Sequence, residues 1–171
     1  MKRRLLICLL VAVLLLSGCD NYPEGKAVTH KDLTLILPGD FLDLSGESYA
    51  ESADFLYGWN TLVFQGLSEG KSVLKKMTLE EYTGYVISTN KLSCTPTAFG
   101  DGYLFTYEAP IGDTVYAYTT ATYEGQENFW ILQFYCPKDK LSENQPEIDI
   151  ILEGIQPKKP SPQGEGVSPL G

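Results

Sequence analysis

Tyr103-Leu-Phe-Thr-Tyr-Glu108, Thr114-Val-Tyr-Ala-Tyr-Thr-Thr-Ala-Thr-Tyr123 and Asn128-Phe-Trp-Ile-Leu-Gln-Phe-Tyr135 decide the fold of this chain. All three runs are dense in β-branched and aromatic residues, which suit a pleated, half-buried surface. The connections between them are short, Pro110-Ile111-Gly112-Asp113 and Glu124-Gly125-Gln126-Glu127. Loops of that length join antiparallel neighbours and cannot carry a parallel crossover. A fourth segment, Cys94 to Phe99, enters the first run through Gly100-Asp101-Gly102. Together they predict an antiparallel meander in which Tyr103, Phe105 and Tyr107 share one face, as do Trp130, Leu132 and Phe134.

Upstream, Thr78-Leu79-Glu80-Glu81 has the spacing of a capping box. Leu79, Tyr82, Tyr85 and Val86 follow at helical period, which predicts a helix ending near Asn90. Leu33 to Leu37 reads as a strand stopped by Pro38-Gly39, Phe41 to Leu44 as its continuation or return, and Ser45-Gly46-Glu47 as a turn. Trp59 to Gln65 reads as a strand covered on both faces. A last helix is expected near Asn144, with Pro146 in its first turn and Ile148, Ile151, Leu152 and Ile155 on one stripe. The expected class is α+β, an antiparallel sheet of about six strands covered by two main helices. Residues 32–156 form the domain, 19–31 a tether and 157–171, rich in Pro, Gly, Ser and charge, a disordered tail.

The opening Leu33-Thr34-Leu35-Ile36-Leu37-Pro38-Gly39-Asp40-Phe41, the central helix Thr78–Asn90, the Tyr-rich meander and the closing Ile148–Ile155 helix resemble the PsbP-like and DcrB-like group of exported or lumenal domains. The resemblance lies in element order and spacing over about residues 31–156. It implies an accessory or partner-binding role and no enzymatic one, and it carries over no binding residue.

The first 19 residues are of a different kind. Lys2, Arg3 and Arg4 precede an unbroken apolar run, Leu5 to Leu16, and then Leu16-Ser17-Gly18-Cys19. Twelve apolar residues at ~1.5 Å each span roughly 18 Å, against a hydrocarbon core of about 30 Å. That length suits a signal peptide, residues 1–18, and is short for a spanning helix. The tetrad Leu16-Ser17-Gly18-Cys19 resembles the lipobox of bacterial lipoproteins, which implies cleavage before Cys19, a diacylglyceryl group on its thiol and acyl chains such as palmitate. Two or three chains anchor stably where one does not. The expected location is therefore the extracytoplasmic face of the cell membrane. In an enteric Gram-negative host, the same resemblance would make Asp20 an inner-membrane retention signal.

With three basic leader residues removed, the net charge of −9 becomes −12 over 153 residues, enough for one core. Such a surface argues against nucleic acid and against docking on anionic headgroups, and leaves anchoring to the lipid. Two cysteines remain beyond Cys8 and Cys19, in a compartment where disulfides persist. A Cys94–Cys136 bond would close a loop of about 43 residues and contribute up to ~4 kcal/mol. In a sequential meander, however, their strands would lie about 14 Å apart, beyond the ~7 Å limit for a bridge. Two separate buried thiols are the other reading.

Chemistry is sparse. His30 is the one histidine and falls in the expected tether, which removes His-rich metal sites and makes a Ser–His–Asp triad a poor fit. No CxxC motif, phosphate loop, cofactor site or metal loop with enough ligands is present. Paired acids (Asp40 and Asp43; Glu80 and Glu81) are what a chain with 22 acids contains as solvated surface. The aromatic cluster Tyr49, Phe55, Tyr57 and Trp59 could form a binding rim, or could be core. The sequence thus favours a lipid-anchored envelope domain that binds an envelope protein partner. The alternative is an envelope hydrolase built on carboxylates.

Overall fold

The structure, a computed structural model, describes residues 25–47, 52–74 and 76–158. Its frame is a seven-stranded antiparallel sheet ordered β3-β4-β5-β9-β8-β7-β6. These strands are β3 (Leu42–Asp43), β4 (Phe55–Trp59), β5 (Leu62–Gly70), β6 (Thr97–Phe99), β7 (Gly102–Ile111), β8 (Thr114–Glu124) and β9 (Asn128–Pro137). The run β9-β8-β7-β6 is the meander expected from the sequence. A second sheet, β1 (Lys26–His30), β2 (Leu33–Leu37) and β10 (Gln156–Pro157), has the order β1-β2-β10. The helices are α1 (Lys71–Leu74), α2 (Leu79–Thr89) and α3 (Leu141–Glu153).

The large sheet has a different core on each face. Alternation along β9 sends Trp130, Leu132, Phe134 and Cys136 to one side, where Leu33, Leu35 and Leu37 of the small sheet and Ile148, Ile151 and Leu152 of α3 meet them. Phe64 and Phe134, cross-strand partners, stack with centroids 4.3 Å apart. The opposite side receives α2, with Tyr82 and Val86 on Phe105 and Phe129. The two triplets read from the sequence do share faces, and those faces are opposite ones.

The capping box forms as expected: Glu81 N donates to Thr78 Oγ1 at 3.2 Å and Thr78 N to Glu81 Oε2 at 2.8 Å. Thr83, on the same helix, meets Thr122 of β8 hydroxyl to hydroxyl at 2.6 Å, both buried. Replacing Thr78 by Ala removes one amide partner and is expected to lower unfolding free energy by about 1 kcal/mol in a urea titration.

Several boundaries differ from expectation. There are ten strands in two sheets among the described residues, where about six were expected. Lys26–His30, assigned to the tether, is a strand paired along its whole length with β2. Val28 packs on the core and His30 stacks on Phe55, and with a single large apolar residue in five no hydrophobic alternation marked it. The expected strand Trp59–Gln65 breaks at Asn60, whose φ of 50° turns β4 into β5. The last helix begins at Leu141, directly after a 3₁₀ turn at Lys138–Lys140, so Pro146 lies inside it. Gln156 and Pro157 pair with β2, and Lys158 N donates to Asp32 O at 2.8 Å, so the domain runs past 156. The signal peptide, Cys19 and residues 159–171 of the expected tail lie outside the described residues.

Candidate functional site

Three strands place one row of uncharged polar side chains across the sheet face that carries α2. Gln65 of β5 lies opposite Gln133 of β9, Gln133 opposite Thr120 of β8, and Thr120 opposite Phe105 of β7. Gln65 Nε2 donates to Gln133 Oε1 at 2.7 Å, and Gln133 Nε2 donates to the Tyr107 hydroxyl at 2.7 Å. Thr120 is 1% exposed, and its hydroxyl lies beside the Tyr107 phenol, whose pKa it helps to hold down against burial.

This row floors a recess of about 190 Å³, walled by Leu67, Ile131 and Phe105 and roofed by Val86, Asn90 and Leu92 at the end of α2. Asn90 caps that helix, its Nδ2 donating to Val86 O at 2.8 Å. Burial, with the neighbouring Tyr118 phenol, pushes the Tyr107 pKa up to about 12. No ionisable group other than this neutral phenol lines the recess.

The next row out is tyrosine. Val63, Tyr135, Tyr118 and Tyr107 are successive cross-strand partners. Tyr107 and Tyr118 stack at 4.7 Å and 2°, Tyr118 and Tyr135 at 5.4 Å and 26°, and Tyr116 meets Tyr135 edge-on at 6.4 Å. All four rings are half-buried. They continue the open face beyond α2 as an aromatic apron beside the recess.

The aromatic cluster predicted as a rim is not assembled. Phe55 and Tyr57 are core residues, 1% and 7% exposed. Trp59 is half-buried with its ring 6.2 Å from Phe41, and Tyr49 lies outside the described residues. Phe55 and Tyr57 face inward because β4 is an interior strand whose odd positions meet the small sheet.

His30 is likewise placed differently from expectation, on β1. Its Nε2 is 2.9 Å from the Tyr57 hydroxyl and its ring stacks on Phe55 at 4.4 Å. Burial lowers its pKa against the pull of Asp43 and Asp54. Those two acids are acceptors in fixed hydrogen bonds. Ser45 holds the Asp43 carboxyl below its ordinary range. Burial works against Asp54, but Lys31 and Ser68 more than compensate and lower its pKa as well. A general acid needs the opposite shift, so neither carboxyl is poised as a general acid. No cluster of three or more metal-ligating side chains occurs among the described residues.

Cys94 and Cys136 are both free thiols. They pack into the cores on opposite faces of the sheet, and the sequential order β6-β7-β8-β9 keeps them apart. Burial raises both pKa values. Reductant is therefore expected to leave the denaturation midpoint of the folded chain unchanged; a drop would reveal a bond.

The row Gln65–Gln133–Thr120 escaped the sequence reading. Its only trace was a polar residue at an alternating position of each strand, and which residues become neighbours depends on register.

No family model matches this chain, and no curated protein matches it. Solved structures do. The chain is 12% identical to a Bacteroides thetaiotaomicron protein at TM-score 0.53, covering 81% of this chain and 49% of that one. It thus spans about half the length of that protein. Cyanobacterial PsbP from Synechocystis matches at 8% identity and TM-score 0.51, over 82% of this chain and 96% of PsbP. LpqN of Mycobacterium tuberculosis matches at 14% identity and TM-score 0.50, over 82% and 94%. At these identities the likeness is one of fold. The chain has a PsbP-like α+β fold.

Proposed function

We propose that this chain is a lipid-anchored protein of the cell envelope whose domain binds a partner or ligand and performs no catalysis. The observation that carries this reading is the neutral recess and tyrosine apron on an open sheet face, with the nearby carboxylates of the other face locked in hydrogen bonds. Tyr side chains suit binding surfaces because one end is apolar and the other forms hydrogen bonds. Among proteins of this fold, LpqN is described as involved in cell envelope biogenesis, which supports the setting. The Leu16-Ser17-Gly18-Cys19 tetrad supports the anchor. No helix of the described residues is long and apolar enough to cross a membrane.

Two experiments test it. Cys19→Ser is expected to leave a precursor that is neither cut nor acylated, measured by mass and by metabolic labelling with palmitate; normal processing would refute the anchor. A photoreactive residue at Tyr135 is expected to capture an envelope component in intact cells, whereas one at the exposed Leu42 on β3 captures none. Equal capture at both positions, or capture only at Leu42, removes the binding face.

A further inference from the structure

The ligand class can be read from the recess itself, an inference that rests on the binding reading above. Its lining combines four features. The floor groups, Gln65, Gln133, Thr120 and Tyr107, each donate and accept. They occupy neighbouring sites on three adjacent strands and on β7 beside them, so the set is two-dimensional and fixed by register. The walls are apolar and include the aromatic rings of Phe105 and Tyr107, stacked at 6.4 Å. Finally, no charge faces the space.

Each feature excludes something. An ionic ligand would leave its charge uncompensated in a low-dielectric recess, within a chain already strongly acidic. A wholly apolar ligand would cover the remaining donor and acceptor positions of Gln65 and Gln133 without pairing them, which offsets what its own burial returns. Drug-sized and larger ligands need pockets of about 300 Å³ or more, so about 190 Å³ admits one small ring or side group. What remains is a small, uncharged molecule with several hydroxyls and an apolar edge. Hydroxyl groups match the floor because each donates and accepts, as Gln, Thr and Tyr do. We propose that the recess binds a single uncharged pyranose unit, its hydroxyls on the Gln65 and Gln133 carboxamides and its C–H face against Phe105 and Tyr107. The adjoining tyrosine apron would extend contact to the next unit of a glycan or to its aglycone.

The assignment makes sense of an otherwise costly arrangement. Face positions beside an amphipathic helix are ordinarily apolar, as Ile131 and Leu67 are one row away. Filling the row with two glutamines and a threonine puts hydrogen-bonding groups where packing groups would ordinarily stand.

The test is a titration of the full-length chain, kept in a detergent without a sugar headgroup and followed by the side-chain amide resonances of Gln65, Gln133 and Asn90. Methyl glucoside at millimolar concentration is expected to shift these signals. Glucuronate is expected to bind at least about tenfold more weakly, the factor that one unpaired polar contact commonly costs. N-acetylglycinamide, an amide without hydroxyls, should not compete. Gln133→Leu is expected to weaken the sugar by about tenfold or more. Leu92→Trp, which fills the roof and leaves the row intact, should abolish binding while the amide dispersion of the remaining fold persists. Absence of a shift with any uncharged pyranose, equal or stronger binding of glucuronate or the amide, or full binding by the Leu92→Trp chain would overturn the proposal. None of those results touches the anchor or the capture at Tyr135, so the ligand class can fail while the binding reading stands.

Discussion

Asp32→Ala is expected to lower the unfolding free energy by about 3–5 kcal/mol, since buried donors left without partners cost ~1–3 kcal/mol each. Asp32 sits in the β1–β2 turn, 8% exposed, and accepts from four donors across the domain. These are Glu127 N at 2.7 Å, Asn128 N and Nδ2 at 3.1 Å each, and Trp130 Nε1 at 2.7 Å. Gly125 closes against the same carboxylate, and Lys158 N donates to the Asp32 carbonyl, so one residue ties β1–β2, β8–β9 and the chain beyond β10 together. Trp130 is fully buried, and water cannot reach its indole N–H to replace the lost acceptor.

The carboxylate also fixes an acid limit. Burial opposes its ionisation, but the Glu127 amide, the Trp130 indole and Asn128 outweigh that and lower its pKa below 3.8. Asp32 therefore contributes its stability fully above the unfolded value and loses it as pH falls through the lower folded one. Chemical denaturation from pH 6 downward should show wild type losing stability below about pH 4. Asp32→Asn, less stable throughout, should lose less over that interval. Asp43 and Asp54 also titrate there with lowered pKa values, and the difference between the two proteins isolates Asp32. Parallel curves would show that the carboxylate is not the acceptor described.

The legible part of this fold was its periodicity. The meander, the α2 cap and the α3 stripe each repeat a pattern over ten or so residues, and local sterics alone suffice to fix them. Asp32 and β1 carried no such mark. In the sequence Asp32 is one of 22 acids, and its four donors lie about 95 residues away, brought near only by the docking of one sheet on the other. β1 is an edge strand of mixed residues, Lys-Ala-Val-Thr-His, paired along its length with β2. The candidate site was hidden for a related reason. Gln65 and Gln133 are separated by 68 residues and become a row only through the β5–β9 register. Tyr107, by contrast, was correctly read as facing the same way as Phe105, which periodicity can tell. That the phenol borders a recess, periodicity cannot tell. The aromatic cluster at Phe55 was misplaced because Gly, Ser and acid around it resemble a loop, while the Asn60 turn that makes β4 a strand shows no apolar break.

Gly66→Ala tests that last correction and carries the second large expected effect, a loss of about 2–3 kcal/mol by overpacking. Gly66 on β5 is the cross-strand partner of Phe55, whose ring lies over it where a Cβ would stand. The ring has no room to yield. His30 stacks on it at 4.4 Å, Phe64 meets it edge-on at 5.3 Å, and Trp130 tilts against it at 6.1 Å. A methyl at position 66 must therefore push the ring into three neighbours or spread β4 from β5. Shortening the ring relieves this. Phe55→Leu alone should destabilise by leaving a cavity, but the Gly66→Ala, Phe55→Leu double variant should be more stable than the sum of the two losses by about 1–2 kcal/mol. Calorimetry or urea titration of the four proteins closes the cycle. Additive losses would mean that Phe55 is not seated over Gly66, and would return it to the surface rim that its surrounding sequence suggests. Positive coupling places the ring in the core and leaves the opposite face of the sheet, with its polar row and tyrosines, as the surface on which binding is to be sought.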